Sequence, residues 1–147
     1  MKCLGLIALL CAALAFAACG DDSSGSPDSS GESLGPVAER GKPVVEPPGG
    51  PPPTKLIVKD LEEGSGPGAK KGDELSIHYV GVDTEGTELY SNWTTSPLTF
   101  ELGASGFFEG WDESMEGMKV GGRRELTFPA VMAGEPRFYV VDLLRIK

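Results

Sequence analysis

FFEGWDESMEGMKVGGRRELTFP, from Phe107 to Pro129, is the stretch on which the fold turns. Trp111, Met115 and Met118 are spaced i, i+4, i+7, one apolar face of a short helix. Gly121 and Gly122 end that helix, Arg123 to Phe128 reads as a strand, and Pro129 stops the strand. Gly110 removes a side chain just as the chain turns into the helix, so that a neighbour or a ligand can come close to the backbone. Trp111 in the first turn points back toward a sheet and carries the largest apolar plane available to the chain. Phe107 and Phe108 precede it, and the helix start leaves backbone N–H groups unpaired. An aromatic floor with N–H donors at its rim suits a peptide carbonyl attached to an apolar ring.

Outward from this block the pattern is mostly strand. Lys55 to Leu61 reads as a first strand. Gly64 to Asp73 (GSGPGAKKGD) has turn composition and is expected to interrupt the elements. Glu74 to Val80 alternates, with Leu75, Ile77 and Tyr79 on one face and Ser76, His78 and Val80 on the other, a half-buried antiparallel strand. Asp83 to Gly86 is a hairpin turn, Leu98 to Leu102 a further strand, and Phe138 to Ile146 the last. The sum is an α+β domain, a curved antiparallel sheet of about five strands half-wrapped around one short α-helix. His78, the single histidine, reads as a sheet residue, and Trp93 is either an exposed contact or a local plug folded back on the domain.

The N-terminal third is different material. Residues 1–18, with Lys2 before a Leu- and Ala-rich run, have the layout of a signal peptide. Ala17-Ala18-Cys19 followed by Gly20 resembles a bacterial lipobox, which implies lipidation at Cys19, a membrane anchor and an extracytoplasmic location. All three cysteines, Cys3, Cys11 and Cys19, lie at or before that point, so a chain cut there has no disulfide and no thiolate chemistry. Of the 34 residues from 20 to 53, 21 are Gly, Pro or Ser, too little apolar matter to offset ordering entropy. Residues 19–53 are therefore expected to be a disordered tether, and 54–147 the folded domain.

That domain carries 10 Lys and Arg against 16 Asp and Glu, and the whole chain a formal charge of −9. Dispersed basic residues on an acidic chain argue against a nucleic-acid partner. Nothing in the pattern calls for a metal or a cofactor, and a monomer is expected.

Three blocks carry a family resemblance: Gly64-Ser65-Gly66-Pro67 through Lys71-Gly72-Asp73; His78-Tyr79-Val80-Gly81 with the Gly86 turn; and Phe108-Glu109-Gly110-Trp111 through Gly117-Met118-Lys119-Val120-Gly121 to Arg124. With the terminal Val141-Asp142-Leu143-Leu144 they resemble the FKBP-type peptidyl-prolyl cis-trans isomerases over about residues 55–147. The resemblance implies a prolyl pocket between helix and sheet. Trp111 would be its floor, Phe107 and the Phe108 N–H would bind the substrate main chain, and Tyr79, Leu89, Leu98, Phe100 and Tyr139 would line its walls. It also implies proline-containing polypeptides as partners, here exported ones.

The chain departs from the family at three points. Tyr90 replaces the usual pocket carboxylate, only Ala130 to Arg137 connect Pro129 to the last strand, and Leu89 and Leu98 stand where aromatic residues are common. The pocket should accordingly be shallower and wetter on one side. Two functions fit: a prolyl isomerase, or a client-binding module with a degenerate pocket.

Overall fold

The computed structural model describes residues 40–147. The signal segment, Cys19 and the earlier part of the tether lie outside the described residues. Among the described residues eight strands and two short helices follow in the order β1 (Ile57–Glu62), β2 (Ser65–Gly68), β3 (Glu74–Val82), β4 (Glu88–Ser91), β5 (Leu98–Glu101), α1 (Trp111–Met115), β6 (Lys119–Val120), β7 (Arg123–Phe128), α2 (Ala130–Ala133) and β8 (Arg137–Ile146). Among the described residues no helix is long and apolar enough to cross a membrane.

Six strands form one antiparallel sheet in the order β1-β7-β8-β3-β4, with β5 also paired to β3. The long central strand β3 shares one edge between two partners: Glu74 to Ile77 pair with β5, and Val80 to Val82 pair with β4. Its other edge pairs with β8 from Leu75 to Val82. The Gly64–Asp73 stretch contains β2, which pairs with β6, so part of a segment expected to be turn is a two-stranded ribbon. A ribbon is tolerated there because its glycines let two backbones meet: a Cβ on Gly64 would lie 2.3 Å from the Val120 carbonyl oxygen.

Period-two alternation along β8 separates two apolar clusters. Tyr139, Val141 and Leu143 face α1, where they pack with Leu75, Ile77, Leu126, Phe128, Met115, Met118 and Trp111. Phe138 and Val140 face the opposite side, where they pack with Val80, Val82 and Val45, and Trp93 leans against them. β3 is thus covered on both faces where one polar face was expected. Trp93 folds back as a plug, 5.3 Å from the His78 ring and under the Arg123 guanidinium at 5.5 Å.

Val45 also moves the domain boundary. It is 7% exposed, and residues 40–47 lie across the outer face of the sheet. Arg40 pairs with Glu62 at 2.9 Å, Lys42 with Glu88 at 2.6 Å, and Arg123 Nη2 donates to the Gly41 carbonyl at 3.3 Å. The composition of 20–53 concealed this because a single valine opposite a ready-made apolar patch is enough to dock a strap. The folded body therefore begins before Thr54.

Helix α1 is held by Arg124 rather than by its own length. This 7% exposed arginine donates Nη1 to the Ser114 carbonyl at 2.8 Å and to the Glu116 carbonyl at 3.0 Å. Its other nitrogens grip Asp60 on β1. A charged donor on the free carbonyls at the helix end satisfies acceptors that a five-residue helix leaves open. Beside it, Arg123 clamps the fully buried Asp142 through two bonds of 2.6 and 2.7 Å, which hold the Arg123 guanidinium above its ordinary pKa.

Candidate functional site

Trp111 is the floor of a cavity of about 260 Å³ between α1 and the sheet. It is 3% exposed and its indole stacks on Phe128 beneath, at 6.1 Å and 18°. Tyr79 and Tyr139 meet that indole edge-on, at 6.2 and 5.3 Å, and Phe107 and Phe108 lie at 5.2 and 5.5 Å. Edge-to-face contacts of this kind lock each ring in place, so the hollow is not filled by the protein's own side chains.

The backbone explains how five rings converge. Gly110 caps α1 at φ 84°, in the left-handed region, and a Cβ there would approach Met132 Sδ to 3.2 Å. The chain can therefore turn sharply from Phe108 to Trp111 while α2 closes over the corner. Ser114 Oγ donates to the Trp111 carbonyl at 2.6 Å and fixes the first turn. On the sheet side, a Cβ on Gly81 would lie 2.3 Å from Tyr139 Cε1, so the Tyr139 ring lies across β3 only because its paired residue has no side chain.

The sequence-derived set is largely assembled. Tyr79, Tyr90, Leu98, Phe107, Phe108, Trp111 and Tyr139 all line the cavity. Phe100 stands behind it, edge-on to Phe107 at 5.7 Å, a support rather than a wall. Leu89 is not in the site: it lines an adjoining surface hollow with Asp83, Glu85 and Glu135, which shares only Arg137 with the cavity. The reason is strand alternation, since adjacent Leu89 and Tyr90 on β4 point to opposite sides and Tyr90 takes the inward place.

Three residues were missed. Phe128 backs the floor; its place on a strand aligned with Trp111 was invisible without the register. Ala133 and Arg137 complete the wall beside α2. Arg137 shares the phase of Tyr139 and Val141 on β8, a signal present in the sequence had the strand been extended one residue toward its start.

Electrostatically the cavity is apolar with polar edges. Burial, and after it the nearby Tyr90 phenol, raise the Tyr139 pKa to about 12 against an opposing pull from Arg137, with a lesser push from Tyr79. The Tyr139 hydroxyl is thus a neutral hydrogen-bond donor at any physiological pH. Trp111 Nε1 is buried and has no partner among the described residues. Phe108 N–H likewise has none among the described residues, while its carbonyl accepts from Trp111 N at 3.2 Å. Among the described residues no group of His, Cys, Asp or Glu is placed to hold a metal ion.

Comparison with known proteins agrees with this geometry. The FKBP-type peptidyl-prolyl cis-trans isomerase family model matches residues 66–135. An FK506-binding protein of Streptomyces anulatus is 44% identical over 120 residues, 71% of this chain and 97% of that one. An FK506-binding protein of Corynebacterium glutamicum is 45% identical over 96 residues, 65% of this chain and 80% of that one. Among solved structures, the peptidyl prolyl cis-trans isomerase FKBP12 from Mycobacterium tuberculosis superposes with a TM-score of 0.52 at 40% identity, covering 66% of this chain and 88% of that one. FkpA from Escherichia coli superposes at 0.58 with 26% identity, over 72% of this chain and 53% of its own. A Trp111-floored cavity on a β-sheet that wraps a short helix, shared sequence blocks and near full-length relatives lead to one conclusion: this chain belongs to the FKBP-type peptidyl-prolyl cis-trans isomerase family.

Proposed function

We propose that the protein turns Xaa-Pro bonds of exported polypeptides by binding the twisted amide in the Trp111 cavity, with no covalent step. The observation that carries this reading is a 260 Å³ hollow, floored by an indole and walled by rings, that the protein leaves open. Rotation of a prolyl amide meets a barrier of about 18–20 kcal/mol from C–N double-bond character. Uncatalysed exchange takes tens to hundreds of seconds. No bond is made or broken, so no nucleophile, metal or cofactor is required.

A twisted amide has lost resonance and is less polar than the planar form. An apolar, ring-lined site favours it, and only preference for that state over the ground state accelerates the step. A roughly thousandfold acceleration corresponds to about 4 kcal/mol of such preference. In this reading the proline ring lies on Trp111, the Phe108 N–H and the Tyr139 hydroxyl donate to carbonyls of the substrate chain, and Tyr79 and Phe107 hold the ring from the sides. Tyr90 offers a phenol at this edge in place of a carboxylate.

Anchoring and location follow the N-terminal pattern: lipidation at Cys19 holds the domain on the extracytoplasmic face of a bacterial membrane, where exported chains emerge. Bacterial lipoproteins, which the N-terminal pattern resembles, carry two or three chains, and so anchor stably where one lipid chain alone would hold only weakly. The domain acts as a monomer.

The test is an isomerase assay on the folded domain, by protease coupling or magnetisation exchange with a Pro peptide. Trp111→Ala and Phe107→Ala, the second at a 44% exposed rim position that costs little folding stability, should each lower turnover, roughly tenfold or more for Trp111. Absence of turnover in the unaltered protein, with suppression of client aggregation that Trp111→Ala leaves intact, would establish the client-binding module instead.

A further inference from the structure

Among the described residues Arg137 is the only charged one in the wall of the prolyl cavity, on a chain whose formal charge is −9. We propose that Arg137 sets substrate preference, favouring an acidic residue immediately flanking the proline over a basic one. The inference rests on the isomerase reading above and goes beyond it by naming the chemistry of the neighbouring client residue.

Two structural facts put the guanidinium there. The connection from Pro129 to β8 is only the four-residue helix α2 followed by Gly134, Glu135 and Pro136, with Gly134 turning the chain at φ 81°. No long loop stands between β8 and the cavity, so the first residue of β8 is itself wall. Arg137 then shares the inward phase of Tyr139, two residues on, while Phe138 between them goes to the opposite face of the sheet.

Its present partner is weak. Arg137 Nη2 donates to Glu135 Oε2 at 2.9 Å, but the Glu135 side chain is 73% exposed while that of Arg137 is 18% exposed. An ion pair with one end in water contributes little, and its carboxylate is readily exchanged for another. The arginine stem is held by the wall and its head has a replaceable counterion. The other polar members of the wall, Tyr79, Tyr90 and Tyr139, are phenols, and none offers a carboxylate to receive a client lysine or arginine. A basic residue beside the proline would meet the Arg137 guanidinium inside the wall, where the nearby carboxylates of Asp83, Glu85 and Glu135 line the adjoining surface hollow instead of the cavity, whereas an acidic one would form a planar two-point contact with Arg137.

The experiment compares kcat/KM for peptides carrying Glu, Ala or Lys before the proline, and a second series with the same three residues after it. The unaltered protein should turn over the Glu peptide about two- to fivefold faster than the Lys peptide in at least one series, at low salt. Rising ionic strength should shrink that ratio. Arg137→Gln should bring it near one, Arg137→Glu should invert it, and Arg137→Lys should keep its sense. Those variants read a ratio within one protein, so a general loss of stability does not imitate the result.

A preference for Lys, or a Glu-to-Lys ratio that Arg137→Gln and Arg137→Glu leave unchanged, overturns the role of Arg137 while the isomerase stands. If no peptide is turned over, the Ala peptides included, the isomerase reading itself fails and this inference falls with it.

Discussion

Asn92 takes the place of a strand beside Tyr79. Its Oδ1 accepts from the Tyr79 N–H at 2.8 Å, its Nδ2 donates to the Ile77 carbonyl at 3.0 Å, and its own N–H donates to the Tyr79 carbonyl at 3.2 Å. It does so where β3 passes from its pairing with β5 to its pairing with β4, a gap in which edge backbone groups would otherwise be buried without partners. A carboxamide is the side chain that offers one acceptor and one donor at peptide spacing. The tyrosine wall of the cavity is thus registered by a residue that does not touch the cavity.

Asn92→Ala should therefore cost about 2–4 kcal/mol, the sum for two unsatisfied backbone groups at this 8% exposed site. Urea unfolding measures it. Asn92→Asp keeps the acceptor but sets a carboxylate against the Ile77 carbonyl, so it should rescue only part of the loss. A cost below about 0.5 kcal/mol for Asn92→Ala would mean that water replaces the side chain without penalty.

Gly81 and Tyr139 form a second coupled pair. Gly81→Ala drives a methyl group into the Tyr139 ring, which must tilt into the cavity or away from β3. The expected cost is about 1–3 kcal/mol with reduced isomerase turnover. Added to Tyr139→Leu, the same substitution should cost clearly less, because the obstructing ring is gone. Additive stabilities in that double-mutant cycle would refute the steric account.

Removal of residues 40–53 tests the strap. A chain starting at Thr54 uncovers Val80, Val82, Phe138 and Val140 and should be less stable than one starting at residue 40, by about 1–3 kcal/mol. Val45→Ala alone should account for a good part of the difference. Equal denaturation midpoints for the two lengths would show that the strap adds nothing.

The Tyr139 phenol gives a pH signature. Its folded pKa of about 12 lies above the ordinary value of 10, mainly through burial. The contribution is fully present below about pH 10, where both folded and unfolded chains hold the proton. It is lost as pH rises from about 10 to 12, since there the unfolded chain releases the proton while the folded one keeps it. Tyr139→Phe should flatten stability against pH over that window relative to the unaltered protein. Parallel curves for the two would place the titration elsewhere.

Legibility in the sequence tracked how local each signal was. Trp111, Met115 and Met118 announced a buried face by spacing alone, and all three are buried, but α1 ends at Met115, so Met118 lies past the helix that was expected to run on to Gly121. Tyr79 and Tyr139 were readable because alternation along one strand assigns a face without knowledge of its neighbours. Leu89 went astray by one residue, the least error that can reverse a strand's faces. Asn92, Phe128, Val45 and Arg124 carried no such signal, because each acts through partners distant in the sequence or across the sheet.

By itself the sequence determined which residues could be apolar floor and wall and where the chain must turn. These are properties of single residues and of their short-range periodicity. Tertiary structure alone decided that the hollow stays open, that Arg137 enters it, that Asn92 bridges the split edge of β3, and that a strap beginning before Val45 covers the sheet's second face. Each of these depends on strand register and on the length of a connection measured against the space it must span, quantities that exist only once distant segments pack.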